Sequence, residues 1–417
     1  MNGGLKINIS NLTFFILQVY IILFLAGTRL FNTVMLGLFG VLFILTLCVL
    51  LKKSLPVKGY IGSMGAFLLL AFLSTLWAGD KKLAMESNLV MLRCSALGLC
   101  IYVNCDTRQR ITRTLACFAL SVLVLDAFCV GALGIKGLIQ LGEDNVRLGV
   151  DVLDDTMNAN FIGTANVLGV AILLYFIAQN KKRLLLLPML AFIGFIALSA
   201  SRSALILLVT SFVLYVLLMN RNKQHRVRSL LYVAFGITAF VLAIQLGLFD
   251  YVIDRFRDAE GSVSHFFSGY TQSDRANIRM RLIYAGLSLF VKRPILGYGS
   301  GQYGILVRQS MGYEYAPHNT YIQAMVAYGI FGLVFWQGMY FRILWKIRKR
   351  RTDSLAMILF VLIVLWLVHD IFGHALTEKI SYYFLGIGFA FARIAQKERT
   401  DVSGSAPDDG VIARLEQ

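Results

Sequence analysis

Arg279 and Arg281 stand at the head of an apolar run, R-M-R-L-I-Y-A-G-L-S-L-F-V-K-R-P. His318 and Asn319 open the next such run as P-H-N-T-Y. A guanidinium is permanently charged and offers a planar fork of donors that matches phosphate oxygens. An imidazole titrates near neutrality and can take a proton from a hydroxyl. Side chains of these two kinds could hold a phosphorylated group and activate a nucleophile beside it. Helix geometry limits the pair of arginines: positions two apart point roughly 200° from one another, so only one can face a given pocket. Arg275 shares a face with Arg279. The bland readings are contact with anionic headgroups for either arginine and a structural hydrogen bond for His318.

Other residues could join them. Arg202 sits in S-A-S-R-S-A between two apolar runs, as a snorkelling anchor or as an anion-binding group. Arg93 and Asp126 lie at similar depths in neighbouring runs and read as a buried ion pair. His369 and His374 flank the end of a late apolar run, where they could meet an acceptor molecule; His225 and His265 receive no role. The acidic V-D-V-L-D-D stretch, with Asp151, Asp154 and Asp155, has carboxylates that suit Mg²⁺ or Ca²⁺. It lacks D-x-D spacing, so no metal site is expected. G-Y-G-S-G at 297–301 is not followed by Lys-Ser/Thr and is not a P-loop; at most its amides form an anion-binding nest.

The elements that must position these residues are hydrophobic helices. Of the 417 residues 58% are hydrophobic and only 15% charged, too apolar for a soluble domain and typical of an all-α polytopic membrane protein. The six cysteines form no C-x-x-C pair and read as small core residues. Runs near the roughly 20 residues needed to span a bilayer fall at 11–27, 31–51, 60–78, 89–105, 111–133, 160–178, 184–200, 203–219, 229–249, 320–345, 354–372 and 379–395. This predicts about twelve transmembrane helices in one membrane domain, residues 1–395, with the division of 184–219 open around Ser199–Ser203. The first run follows Lys6 without a cleavage site and reads as a retained span.

Charge fixes the sidedness of that count. With a cytoplasmic N-terminus, the clusters Lys52/Lys53/Lys58, Arg108/Arg110/Arg113, Lys181–Arg183, Arg221–Arg228 and Lys346–Arg351 all fall on one side, as the positive-inside rule requires. The formal charge of +17 is therefore a membrane signature and not a nucleic-acid one. The tail 396–417 reads as disordered cytoplasm. The outer side carries an acidic loop from about Gly134 to Ala159, with Arg147 in it, and a large loop, 250–319. Within the latter, 276–292 cannot be another span, because crossing there would put Lys346–Arg351 outside. It reads as a helix lying at the outer interface, ended by Pro294 and followed by a flexible glycine-rich connection. Residues 260–274 read as a mobile loop.

Taken in order, S-R-S-A at Ser201–Ala204, Arg279 ahead of Pro294, P-I-L-G-Y-G-S-G-Q-Y, H-N-T-Y-I-Q-A and Y-G-I-F-G-L at Tyr328–Leu333 resemble the superfamily of O-antigen ligases and O-antigen polymerases, best over about residues 145–345. The resemblance implies glycan transfer from undecaprenyl diphosphate at the periplasmic face of the bacterial inner membrane, with both termini cytoplasmic. Ligases transfer to lipid A-core and polymerases to another lipid-linked glycan; the reading favours a ligase, with a polymerase as its alternative. A protein O-glycosyltransferase or a lipid-linked glycan transporter is more distant, and a transporter would want charges at the bilayer midplane.

The superfamily's two arginines and one histidine carry over to Arg202, Arg279 and His318 as catalytic residues. Arg202 and Arg279 would bind the donor diphosphate, with Arg147 and Arg281 as further contacts, and Asn319 and His374 would face the acceptor. The aromatic expected four residues after the loop arginine is Tyr284, five after Arg279, so Arg281 stays an alternative to it. Arginines can stabilise a diphosphate leaving group without a metal or cofactor, and the resemblance implies an inverting displacement. Transfer is accordingly expected to survive EDTA in washed membranes; strict dependence on added Mg²⁺ or Mn²⁺ would contradict this reading.

Overall fold

The computed structural model describes residues 8–26, 32–53, 55, 59–143, 159–180, 182–219, 275–312 and 314–404, and among these every regular element is helical. The helices are α1 (Ile9–Leu23), α2 (Asn32–Lys52), α3 (Tyr60–Leu73), α4 (Lys81–Asn104), α5 (Arg108–Glu143), α6 (Ala159–Asn180) and α7 (Leu186–Ser199). They continue with α8 (Arg202–Met219), α9 (Arg275–Lys292), α10 (Tyr303–Met311), α11 (Thr320–Arg348), α12 (Ser354–His369) and α13 (Lys379–Gly404). Eleven of the twelve expected segments fall on these helices, and 229–249 lies outside the described residues. By length and composition α2, α4, α5, α6 and α11 can cross a membrane, and α1, α3, α7, α8 and α12 are shorter apolar helices. The 184–219 pair divides where Ala200 takes a left-handed φ of 44°. Five of the six cysteines are buried and none is paired.

Basic loops distant in sequence meet at one end of the bundle. Arg108 pairs with Asp353 at 2.6 Å and with Glu398 at 2.6 Å, Arg350 also reaches Glu398, and Lys53 pairs with Asp106 at 2.6 Å. These pairs correct one expectation. The chain from Gln396 to Gly404 is helical, not disordered, because Glu398 is held by two arginines; residues 405–417 lie outside the described part. A second correction concerns Arg93 and Asp126. The side chain of Asp126 instead accepts a hydrogen bond from Asn166 Nδ2 at 3.0 Å, and Arg93 is exposed. Their helices are consecutive, but α4 packs chiefly on α13, and α5 on α1 and α6. The α4–α13 contact is close because two glycines meet: a Cβ on Gly386 would lie 2.5 Å from the Gly98 carbonyl oxygen, the small-residue packing expected between membrane helices.

The feature that shapes the far end is a break in α11 at Gly329 (φ 65°, ψ −152°). A broken helix leaves carbonyls and amides unpaired, which is costly in an apolar surrounding. Here the turn after α9 fills the gap. Tyr298 N–H donates to Val326 O and Gly299 N–H to Ala327 O, both at 2.8 Å, and Ile330 N–H donates to Pro294 O at 2.8 Å. Ser300, wholly buried, ties the same turn to α3 and α4: its amide donates to Ser74 Oγ at 3.1 Å, and its hydroxyl meets Asn88 Oδ1 and Tyr328 Oη. The glycine-rich stretch is therefore a fastener and not a flexible connection. The amides of 298–300 are committed to the protein, which removes the anion-binding nest.

On this fastener α9 lies against α11 through a small separate core of Leu282, Tyr303, Val307, Ile322 and Val326. Tyr303 Oη donates to Leu282 O at 2.6 Å. The positive φ at Gly329 is joined by a steric demand, since a Cβ there would sit 2.2 Å from Ile295 O. Gly329→Ala should destabilise the protein by about 2 kcal/mol or more, read as a lowered melting temperature in detergent. Gly338→Ala on the same helix meets nothing within 4 Å and should leave it unchanged; equal behaviour of the two variants would contradict the fastener.

Candidate functional site

Two strained positions mark one region. His318 (φ 45°) and Ala200 (φ 44°) are the non-glycine residues with positive φ among the described residues. Such conformations cost on the order of 1–3 kcal/mol and persist only where the surroundings over-determine them. At His318 the surroundings are explicit. Asn319 caps α11, its Oδ1 accepting from Ile322 N–H at 2.9 Å while its Nδ2 donates to Ile371 O at 3.1 Å. Thr320 N–H donates to Asp370 O at 2.8 Å, and Thr320 Oγ1 accepts from Ala375 N–H at 2.8 Å. The Thr320 hydroxyl also lies 3.2 Å from Asp370 Oδ1, whose partner oxygen takes a bond from Gln337 at 3.3 Å. The start of α11 is thus clasped to the 370–375 turn, and the clasp carries His374 to His318, their ring centroids 5.7 Å apart and edge-on.

Ala200 does the equivalent for Arg202. The left-handed residue ends α7, and α8 restarts at once with Arg202 as its first residue. Ser201 caps the restart: its Oγ accepts from Ala204 N–H at 3.3 Å and donates to Asn160 Oδ1 at 2.8 Å, with Ser203 Oγ 3.0 Å away. A cap of this kind contributes about 1 kcal/mol. It also docks the turn on α6, where a Cβ on Gly163 would lie 2.7 Å from Ser199 Oγ.

These two turns share a cavity. Asn160 and Ser203 line it from one side and His318, His369, His374 and Glu378 from the other. His369 is stacked on Trp366 at 4.4 Å. The Nδ1 atoms of His369 and His374 are buried without a hydrogen-bond partner. Burial, then the neighbouring His374, then Arg279 lower the pKa of His318 to about 4. Burial lowers that of His374 as well and raises the Glu378 carboxyl to about 7. At neutral pH the imidazole of His318 is therefore uncharged and able to accept a proton. Among the described residues no group of three or more His, Cys, Asp or Glu side chains is placed to hold a metal ion.

The structure thus brings together His318, His374, the turn bearing half-buried Arg202, and the charge of Arg279. Arg279 lies one turn before Leu282, which faces α11, and its charge acts on His318; Arg281 points elsewhere on α9 and no such influence on His318 is found for it. Asn319 is buried with its amide committed to the cap and the 371 carbonyl, next to His318. Arg147 and the acidic 151–155 stretch lie outside the described residues. Sequence reading missed Glu378, Asp370 and Asn160. Asp370, in the apolar run W-L-V-H-D-I-F, carried the available signal: an acid in such a setting calls for a partner.

Residues 187–337 match the family model described as O-Antigen ligase. That stretch, residues 187–337 of the 417, is similar to the O-antigen ligase family. It contains Arg202, Arg279, Arg281, His318 and Asn319, whereas His374 and Glu378 enter the cavity from beyond it. No curated protein matches the chain by sequence. The histidine titration gives a direct check of the site's charge state. His318 carries its depressed pKa because of burial and its neighbours His374 and Arg279, so removing a neighbour must raise it. In protein with labelled histidine rings, His318 should titrate near pH 4, and His374→Ala should move that midpoint upward toward 6.5. A midpoint at 6.5 in the unaltered protein would refute the buried, neutral state.

Proposed function

We propose that this protein is an O-antigen ligase, transferring a glycan from undecaprenyl diphosphate to lipid A-core at the periplasmic face of the bacterial inner membrane. The observation that supports the reading is that His318, His374 and Ser203 of the Arg202 turn line one cavity, with the charge of Arg279 acting on His318. The distribution of charge along the chain supports the sidedness. His318 starts α11, and the arginines near its other end join the cluster of basic loops. Beyond the break at Gly329, α11 runs on to Arg348, roughly 28 Å at 1.5 Å per residue, close to the thickness of a bilayer's hydrocarbon core.

The chemistry follows from the residues. Arg202 and Arg279 hold the donor diphosphate and neutralise the charge that grows as it leaves. The acceptor hydroxyl oxygen attacks the anomeric carbon, the bond from that carbon to the phosphate oxygen breaks, and its electron pair departs with undecaprenyl diphosphate. His318 takes the hydroxyl proton. A single displacement from the opposite face inverts the anomeric centre. The arriving diphosphate also assists His318, since negative charge beside an imidazole raises its pKa and makes it a better base only when donor is bound. His374, with an unpartnered buried nitrogen, is placed to orient the acceptor hydroxyl, and Asn319, Thr320 and Asp370 position His318.

Arg279→Ala, Arg202→Ala and His318→Ala should each reduce transfer by at least about a hundredfold, with normal membrane insertion, and Arg281→Ala should be milder. Lipopolysaccharide from a deletion strain should be rough, with long lipid-linked polymer accumulating. Full transfer by the Arg279→Ala protein would remove the site assignment. Core bearing a single repeat unit in the deletion strain would make the protein a polymerase.

A further inference from the structure

A second cavity lies back to back with the first. Its walls are Tyr20 of α1, Leu36 and Phe39 of α2, Arg93 and Leu97 of α4, and Lys379 at the start of α13, enclosing about 220 Å³. One short segment separates the two cavities: Thr377 and Lys379 line this one, while Glu378 and Ile380 line the histidine cavity. Arg93 and Lys379 bring two cations into a mostly apolar enclosure, and neither has a carboxylate within 4.0 Å among the described residues. The adjacent acid, Glu378, is turned to the other cavity. The first turn of α13 carries no acidic residue, so its backbone amides add to the positive field there. Like charges sharing an apolar enclosure repel, and an anion between them converts the repulsion into attraction.

The rest of the enclosure selects among anions. Tyr20 and Phe39 pack with ring centroids 5.6 Å apart. From there the wall runs out over α2, whose Val34, Leu36 and Ile44 are each more than 60% exposed. An apolar groove continuous with an apolar outer surface suits a hydrocarbon chain and offers nothing to a soluble ion. We infer that this cavity binds an anionic, phosphate-bearing membrane lipid, its headgroup between Arg93 and Lys379 and its chain along α2 and α4. The lipid is separate from the reacting donor. It braces residues 377–380, which form the wall between the two cavities.

The test uses the full-length protein in detergent, with native mass spectrometry after addition of phosphatidylglycerol or phosphatidylcholine. The unaltered protein and His318→Ala should retain phosphatidylglycerol about tenfold better than phosphatidylcholine, because both carry a phosphate but only phosphatidylglycerol brings a net negative charge to the two cations. The double variant Arg93→Gln, Lys379→Gln should lose that preference. The charge-conserving pair Arg93→Lys, Lys379→Arg should keep most of it, which separates loss of charge from loss of folding. Equal retention of both lipids by the unaltered protein, or an undiminished preference in the glutamine variant, would overturn the assignment. Inorganic phosphate is the remaining arm. If it binds as tightly as phosphatidylglycerol and is lost in the glutamine variant, the site takes free phosphate and the lipid assignment fails. Because the readout is lipid retention, it stands or falls independently of glycan transfer.

Discussion

Three backbone hydrogen bonds between residues 294–299 and 326–330 hold the far end of this protein together. They exist because α11 is interrupted at Gly329 in a setting where unpaired peptide groups cannot turn to water. The turn after α9 supplies the missing partners, and in doing so it docks α9 on α11. Ser300 extends the joint to α3 and α4 through Ser74 and Asn88. What looks in the sequence like a loose glycine connection is therefore a hydrogen-bonded joint in a mostly apolar bundle.

The candidate site inherits its geometry from that joint and from the Thr320–Asp370 clasp. The joint decides where Arg279 approaches, and the clasp decides where His318 and His374 meet. The third contribution, the Arg202 turn, arrives on α6 through a serine cap and a left-handed alanine. Each candidate side chain is exposed or half-buried, but each stands beside a buried, hydrogen-bonded support. That division suits catalysis by charge stabilisation, which depends on donors that need not reorganise as the reaction proceeds.

The buried charge state of the cavity fits the same logic. An imidazole that is buried beside Arg279 stays neutral, and in the proposed function the donor's diphosphate is the group that would change this. The second cavity, across residues 377–380, presents the opposite situation, two cations without an acid. Both cavities are thus incomplete in charge and complete in packing.

Much was legible in the sequence itself. Apolar run lengths located eleven of the thirteen described helices, missing the short α10, and the placement of Lys and Arg picked out loops that meet at one end of the bundle. Residue type and order pointed to Arg202, Arg279 and His318. The failures share a cause. Arg93 and Asp126 were paired by depth and chain order, yet α13, from the other end of the chain, packs on α4 and leaves Asp126 to Asn166. Glu378 and Asn160 could not be found, since nothing local marks a residue whose partner is some 60 or 160 positions away. Run lengths and charges are local properties and determine elements and their ends. Which faces meet is settled by the packing of small residues and the pairing of buried backbone groups, and only the tertiary structure decides those.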